Sequence, residues 1–181
     1  MEHALRTDIR RAATWSLALS ALMIVTGLLA IGIPMIAGVA VTLIVGWLLI
    51  ASAALHFVFA WRSGHASAVI WEILLGLAYA VIGFYVLSNP AVGLASLTFA
   101  VAAYLFIEGI LEFVLAFQIR PAPGSGWLLV DGVITLVLAV MIWSTWPSSA
   151  TWVVGTLVGI SMLFSGVTRL MLSLAVRRIL A

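Results

Sequence analysis

The chain has 181 residues, 65% of them hydrophobic and 8% charged, with a mean hydropathy of +1.30. A water-soluble domain carries about 25% charged residues, so eight basic and six acidic side chains cannot wet a globule of this size, and most of its surface must meet lipid. The absence of cysteine excludes disulfides, thiol nucleophiles and thiolate metal sites, and eight scattered arginines with a net charge of +2 do not make the basic stripe that nucleic acid requires.

The first predicted element is a helix over 13–33. Arg6, Arg10 and Arg11 precede it, but the apolar run from Ala12 to Ile33 is longer than the core of a signal peptide and no polar cleavage region follows. It therefore reads as a structural helix. Further helices are predicted over 36–61, 67–88, 90–118, 126–145 and 148–175, because unpaired backbone polar groups cost several kcal/mol each in hydrocarbon and an apolar stretch has to coil to satisfy them. Pro34, Pro90 and Pro147 fall where the second, fourth and sixth helices begin, the first-turn position that proline favours. Asn89 is positioned to cap the fourth.

The elements repeat. Trp15, Trp71 and Trp127 recur every 56 residues, and Pro34, Pro90 and Pro147 recur at 56 and 57, with one residue inserted in the third unit between its Trp and its Pro. Small residues align within the frame: Ser20, Gly76 and Gly132; Gly27, Gly83 and Ala139; Gly46, Ala102 and Gly159; Ala53, Gly109 and Gly166. The expected architecture is all-α: a polytopic membrane bundle of six transmembrane helices, built as three repeated hairpins (about 13–61, 67–118 and 126–175) within one transmembrane domain, 1–181. Gly76, Gly132, Gly155, Gly159 and Gly166 are expected to pack helices. Gly155 and Gly159 form a GxxxG pair, read as packing within the chain or as a dimer seam.

All eight arginines, Arg6, Arg10, Arg11, Arg62, Arg120, Arg169, Arg177 and Arg178, fall on one side of the predicted membrane. By the positive-inside rule that side is cytoplasmic, with both termini on it. Trp15, Trp61, Trp71 and Trp127 belt the same interface, and Trp143, Trp146 and Trp152 the other.

Ionisable residues within membrane helices are functional candidates by default. Eighteen and twenty-two residues after each turn proline stand Ser52 and His56, Glu108 and Glu112, and Ser165 and Arg169. Each pair lies one helical turn apart on one face, about 27–33 Å along the helix from the outer turn. Glu72 and Asp131 fall at similar depth. If the hairpins pack about a pseudo-threefold axis, these groups line one cytoplasm-facing vestibule. Such a cluster suits proton sensing or relay, and equally an ion-pair network that fixes the helices. No metal-ligand spacing, serine-hydrolase signature or phosphate loop occurs, so neither an enzyme, a metal nor a cofactor is expected.

The stretches Gly27–Pro34, Gly83–Pro90 and Leu157–Gly166, with Trp127–Gly132 at the start of the fifth helix, resemble the HdeD-like acid-resistance membrane proteins, bacterial six-helix proteins made of short repeats. The likeness spans essentially the whole chain, with Ala139 in place of the family-like glycine in the third unit. It implies a non-enzymatic protein of the bacterial inner membrane associated with survival of acid stress, and it brings no catalytic residues with it. Two further readings stand beside that one. The first is an accessory subunit packing in a larger membrane complex or homo-oligomer; the second, a small-solute transporter, is disfavoured because the prolines are confined to turns. The expected partners are the lipid bilayer and membrane proteins, not nucleic acid.

Overall fold

A computed structural model describes residues 2–120 and 125–179, with side chains described over 15–120 and 125–175. The side chains of Arg6, Arg10, Arg11, Arg177 and Arg178, on which much of the expected orientation rests, lie outside the described residues. Six α-helices follow one another: α1 Glu2–Gly32, α2 Pro34–Arg62, α3 Ala66–Ser88, α4 Pro90–Gln118, α5 Ser125–Ser144 and α6 Val153–Ile179, with a 3-10 turn at Ser148–Thr151 ahead of α6. All six are long and apolar enough to cross a membrane, and there is no strand among the described residues. Their outward faces are apolar: Phe84 is 70% exposed and Phe164 68%, as lipid-facing side chains should be.

The predicted boundaries depart from this in two places. α1 begins eleven residues before the predicted start, although its apolar span begins only at Trp15. Hydropathy marks where a helix enters lipid, whereas helical hydrogen bonding continues into the polar flank. At the other end, Pro147 does not open α6. The chain passes through the 3-10 turn, where Ser149 Oγ donates to Ile142 O at 3.0 Å, and α6 starts only at Val153. This is the repeat unit that carries the inserted residue.

The joints between α1 and α2 and between α3 and α4 are single residues. Asn89 N–H donates to Tyr85 O at 2.9 Å and Asn89 O accepts from Gly93 N–H at 3.0 Å, so the backbone of one residue serves both helices. Asn89 does not cap α4 with its side chain; its Nδ2 points back to Tyr85 O at 3.4 Å.

The fold divides into two compact units, Met1–Ala37 with Gly155–Ala181 and Gly38–Val154. In the first, α1 lies against α6. A Cβ on Gly27 would come within 2.8 Å of Gly159 O, and one on Gly166 within 3.1 Å of both Ser20 O and Ile24 N. Gly155 has no room for a Cβ against the Pro34 carbonyl. Both glycines of the GxxxG pair therefore meet backbone of their own chain. Ser173 Oγ donates to Ser16 Oγ at 2.7 Å across the same pair.

In the second unit α2 lies against α3 and α4 against α5. A Cβ on Gly83 would stand 3.1 Å from Gly46 O, and one on Gly132 3.1 Å from Gly109 O. The closest approaches are thus α2 with α3, α4 with α5 and α6 with α1, each pair using the same repeat-related small residues. Along α2, Gly46, Ala53 and Ala60 are buried, as are Ala102, Gly109 and Ala116 along α4. A seven-residue period of small residues keeps one seam facing a neighbour, and without side chains between them backbones come into van der Waals contact, which is what holds helices together where lipid competes for every apolar surface. Thr42 and Thr98, one repeat apart and fully buried, each return the hydroxyl to the carbonyl four residues back at 2.9 Å. Neither threonine hydroxyl is left unsatisfied in its seam.

Candidate functional site

The ionisable side chains hang on these seams. Gly76 on α3 brings that helix so close to α2 that a Cβ would touch Phe57 at 3.0 Å and the Cβ of His56 at 3.3 Å. With the helices in contact, His56 on α2 and Glu72 on α3 meet, Nδ1 to Oε2, at 2.6 Å. A carboxylate only accepts, so the Nδ1–H of His56 is the donor. Tyr79, two turns along α3 from Glu72, stacks its ring on the imidazole at 5.2 Å between centroids, 8° from parallel. The imidazole is held on one edge by a carboxylate and on one face by an aromatic ring. Both members of the pair remain about a quarter exposed.

α4 and α5 are built alike and carry different chemistry. Glu108 does not bond to Glu112. It accepts from Tyr104 Oη at 3.1 Å, one turn back on its own helix. Glu112 lies against α5 at Gly132, and its Oε2 is buried without a hydrogen-bond partner. Tyr104, Glu108 and Glu112 line one groove of about 360 Å³ whose remaining wall is Ile107, Leu111 and Leu115. Asp131 is exposed and lines a separate groove of about 530 Å³ with Trp127, Leu128, Val130 and Ile134. Arg169 sits exposed on the part of α6 that belongs to the other unit. Of the six ionisable residues singled out, the structure brings together His56 with Glu72, and Glu108 with Glu112 on one groove. Among the described residues no group of three histidine or acidic side chains is placed to hold a metal.

Comparison with known proteins decides the family. A model described as a short repeat of unknown function (DUF308) matches residues 18–88, 74–144 and 142–180. Three curated proteins named HdeD, from Escherichia coli K12, Escherichia coli O157:H7 and Shigella flexneri, are each 30% identical over 149 residues, 81% of this chain and 78% of the relative. The chain belongs to the HdeD-like family. It is a multi-pass membrane protein made of short repeats. No solved structure matches it.

The first two family matches are offset by 56 residues, the period of the tryptophans, and that offset relates the two polar sites of this HdeD-like protein. His56 maps onto Glu112, Tyr79 onto Thr135, and Glu72 onto Leu128. The α2–α3 seam therefore holds a matched donor and acceptor. At the equivalent position of the α4–α5 seam a leucine stands in place of Glu72, and Glu112 has Thr135 as a polar neighbour while its Oε2 stays unpartnered.

Two residues that complete these sites went unnoticed in the sequence. Tyr104 precedes Glu108 by four, a helical neighbour spacing, and was legible in principle. Tyr79 follows Glu72 by seven on the same face of α3, but only the packing register shows that it covers His56.

Proposed function

We propose that this HdeD-like protein is a non-enzymatic protein of the bacterial inner membrane, with both termini cytoplasmic, whose carboxylates on α4 take up or pass protons under acid stress. The observation that carries this reading is the buried, unpartnered Oε2 of Glu112, on a helix that crosses lipid and one turn from Glu108. A carboxyl group in hydrocarbon has either to find a donor or to carry a proton. Thr135 on α5 is a hydrogen-bonding neighbour of the Glu112 carboxyl but leaves Oε2 without a partner, Tyr104 is committed to Glu108, and the rest of the groove wall is aliphatic. A proton arriving from water is the simplest group that satisfies Glu112, and Glu108 one turn away provides the next acceptor. The likeness to HdeD supports the acid-stress setting and the inner-membrane location, and the arginine distribution supports the orientation.

The test is proton flux into dye-loaded proteoliposomes across an imposed gradient, at settings between about pH 4 and 8 that bracket carboxylate and imidazole titration. Flux above empty liposomes that Glu112→Gln abolishes, and Glu108→Gln reduces, is the expected result. Folded protein with no flux anywhere in that range rejects conduction and leaves the accessory-subunit reading, to be pursued by co-purification.

A further inference from the structure

A second surface lies away from the carboxylates, at the arginine-bearing end of α2. Phe57, Val58, Trp61 and Arg62 line a groove of about 320 Å³. The first three fall within one turn of one helix face, and Arg62 is the last residue of α2. The wall is apolar up to its end and cationic there. Trp61 is 92% exposed, and Phe57, one edge of whose ring packs on Gly76, keeps 43% of its surface exposed. Among the described residues of that unit Arg62 makes no salt bridge.

We propose that this groove is a site for an anionic phospholipid. The lipid phosphate would sit on the Arg62 guanidinium, its acyl chain along Phe57 and Val58, and its glycerol beside the Trp61 indole. Charge complementarity selects the occupant. A guanidinium presents parallel N–H donors matched to phosphate oxygens, an indole prefers the headgroup level of a bilayer, and a basic pocket beside a transmembrane helix end is the arrangement that holds lipid phosphates. A second copy of the chain fits less well, because an apolar partner helix would leave the arginine unanswered.

The next repeat supplies an internal control. Phe113, Val114 and Phe117 stand one repeat after Phe57, Val58 and Trp61, and an arginine, Arg120, again follows. There the guanidinium lies 4.9 Å above the Phe117 ring, and Phe117 packs edge-on against Phe113 at 5.0 Å. The cation is already engaged by its own aromatic neighbour, so the two ends should differ in their lipid preference.

The experiment is native mass spectrometry of the full chain in neutral detergent, titrated with phosphatidylglycerol and, separately, with phosphatidylcholine of the same acyl chains. The wild type should retain one phosphatidylglycerol in preference to phosphatidylcholine. Arg62→Gln should weaken that binding about tenfold, the size of one lost charge-assisted hydrogen bond. Arg62→Lys should fall between the two, and Arg120→Gln should stay near wild type. Matched circular dichroism spectra show that the variants are folded. Equal retention of both lipids by the wild type overturns the site, as does an equal loss from Arg62→Gln and Arg120→Gln, or the appearance of dimers without lipid. Displacement of the lipid by an equal concentration of inorganic phosphate assigns the groove to free phosphate and likewise rejects the proposal.

Discussion

The α2–α3 and α4–α5 seams are the same backbone arrangement carrying two different kinds of chemistry. Both bring glycines into contact along an antiparallel pair, with small residues in the same repeat frame. One closes His56 on Glu72 beneath Tyr79; the other leaves an oxygen of Glu112 without a donor. Since the seams persist through that exchange, their adhesion must come from backbone approach. The polar side chains are then free to be tuned repeat by repeat. A duplicated unit can keep its packing in every copy while a few substitutions, His56, Glu72 and Tyr79 to the equivalent Glu112, Leu128 and Thr135, change what one copy can do.

The largest effect that would break this comparison concerns the packing. At Gly132 an added Cβ meets backbone, Phe113 N at 3.0 Å and Gly109 O at 3.1 Å, whereas at Gly76 it meets the Phe57 ring, a side chain that can turn aside. Gly132→Leu should cost about 3 kcal/mol or more, and Gly76→Ala should stay within about 1 kcal/mol of wild type, because the gain in helix propensity offsets the crowding. Reversible unfolding in mixed micelles measures both. A Gly132→Leu variant as stable as wild type would show that backbone approach does not hold the seam.

A smaller effect belongs to the native polar pair. A double-mutant cycle on His56→Ala and Glu72→Gln should give a coupling of about 1 kcal/mol, the modest value usual for polar contacts between membrane helices whose partners keep some access to water. A coupling indistinguishable from zero would mean that the 2.6 Å contact adds nothing to stability. Smallest of all is the transplanted pair. Glu112→His combined with Leu128→Glu should rebuild the matched donor and acceptor in α4–α5 and recover about 0.5 kcal/mol relative to the sum of the single variants. Additive single effects would show that the two seams differ in more than those two side chains.

Helix number, most boundaries and the repeat were legible in the sequence because lipid leaves a chain little choice of secondary structure; α4, predicted over 90–118, occupies Pro90–Gln118. The choice of partner was not legible. Alignment shows that Gly27, Gly83 and Ala139 are equivalent, but equivalence says nothing of adjacency; Gly27 turns out to lie opposite Gly159 and Gly83 opposite Gly46, each on a helix outside its own proline-turn unit. The pairing of the polar side chains was hidden for the same reason. Glu108 and Glu112 were visible as helical neighbours, while the meeting of His56 with Glu72 depends on an interhelical register that no single helix encodes. Position 128 drew no notice because a leucine in a membrane helix is unremarkable until its repeat counterpart is known to be a hydrogen-bond acceptor.

The pairing of α1 with α6 has a consequence for biogenesis. α2 can find α3, and α4 can find α5, as soon as the later member of each pair has been synthesised, since only a short loop separates them. α1 is made before all of these, yet its small-residue face at Ser20 and Gly27 does not meet Gly159 and Gly166 until α6 has been made. A chain stalled or truncated before α6 therefore leaves that glycine-bearing face bare within the bilayer, where another helix or a membrane protease can recognise it. α1 is made before α2 yet secured only after the α2–α3 and α4–α5 pairs can have formed, and its docking reports that α6 has arrived.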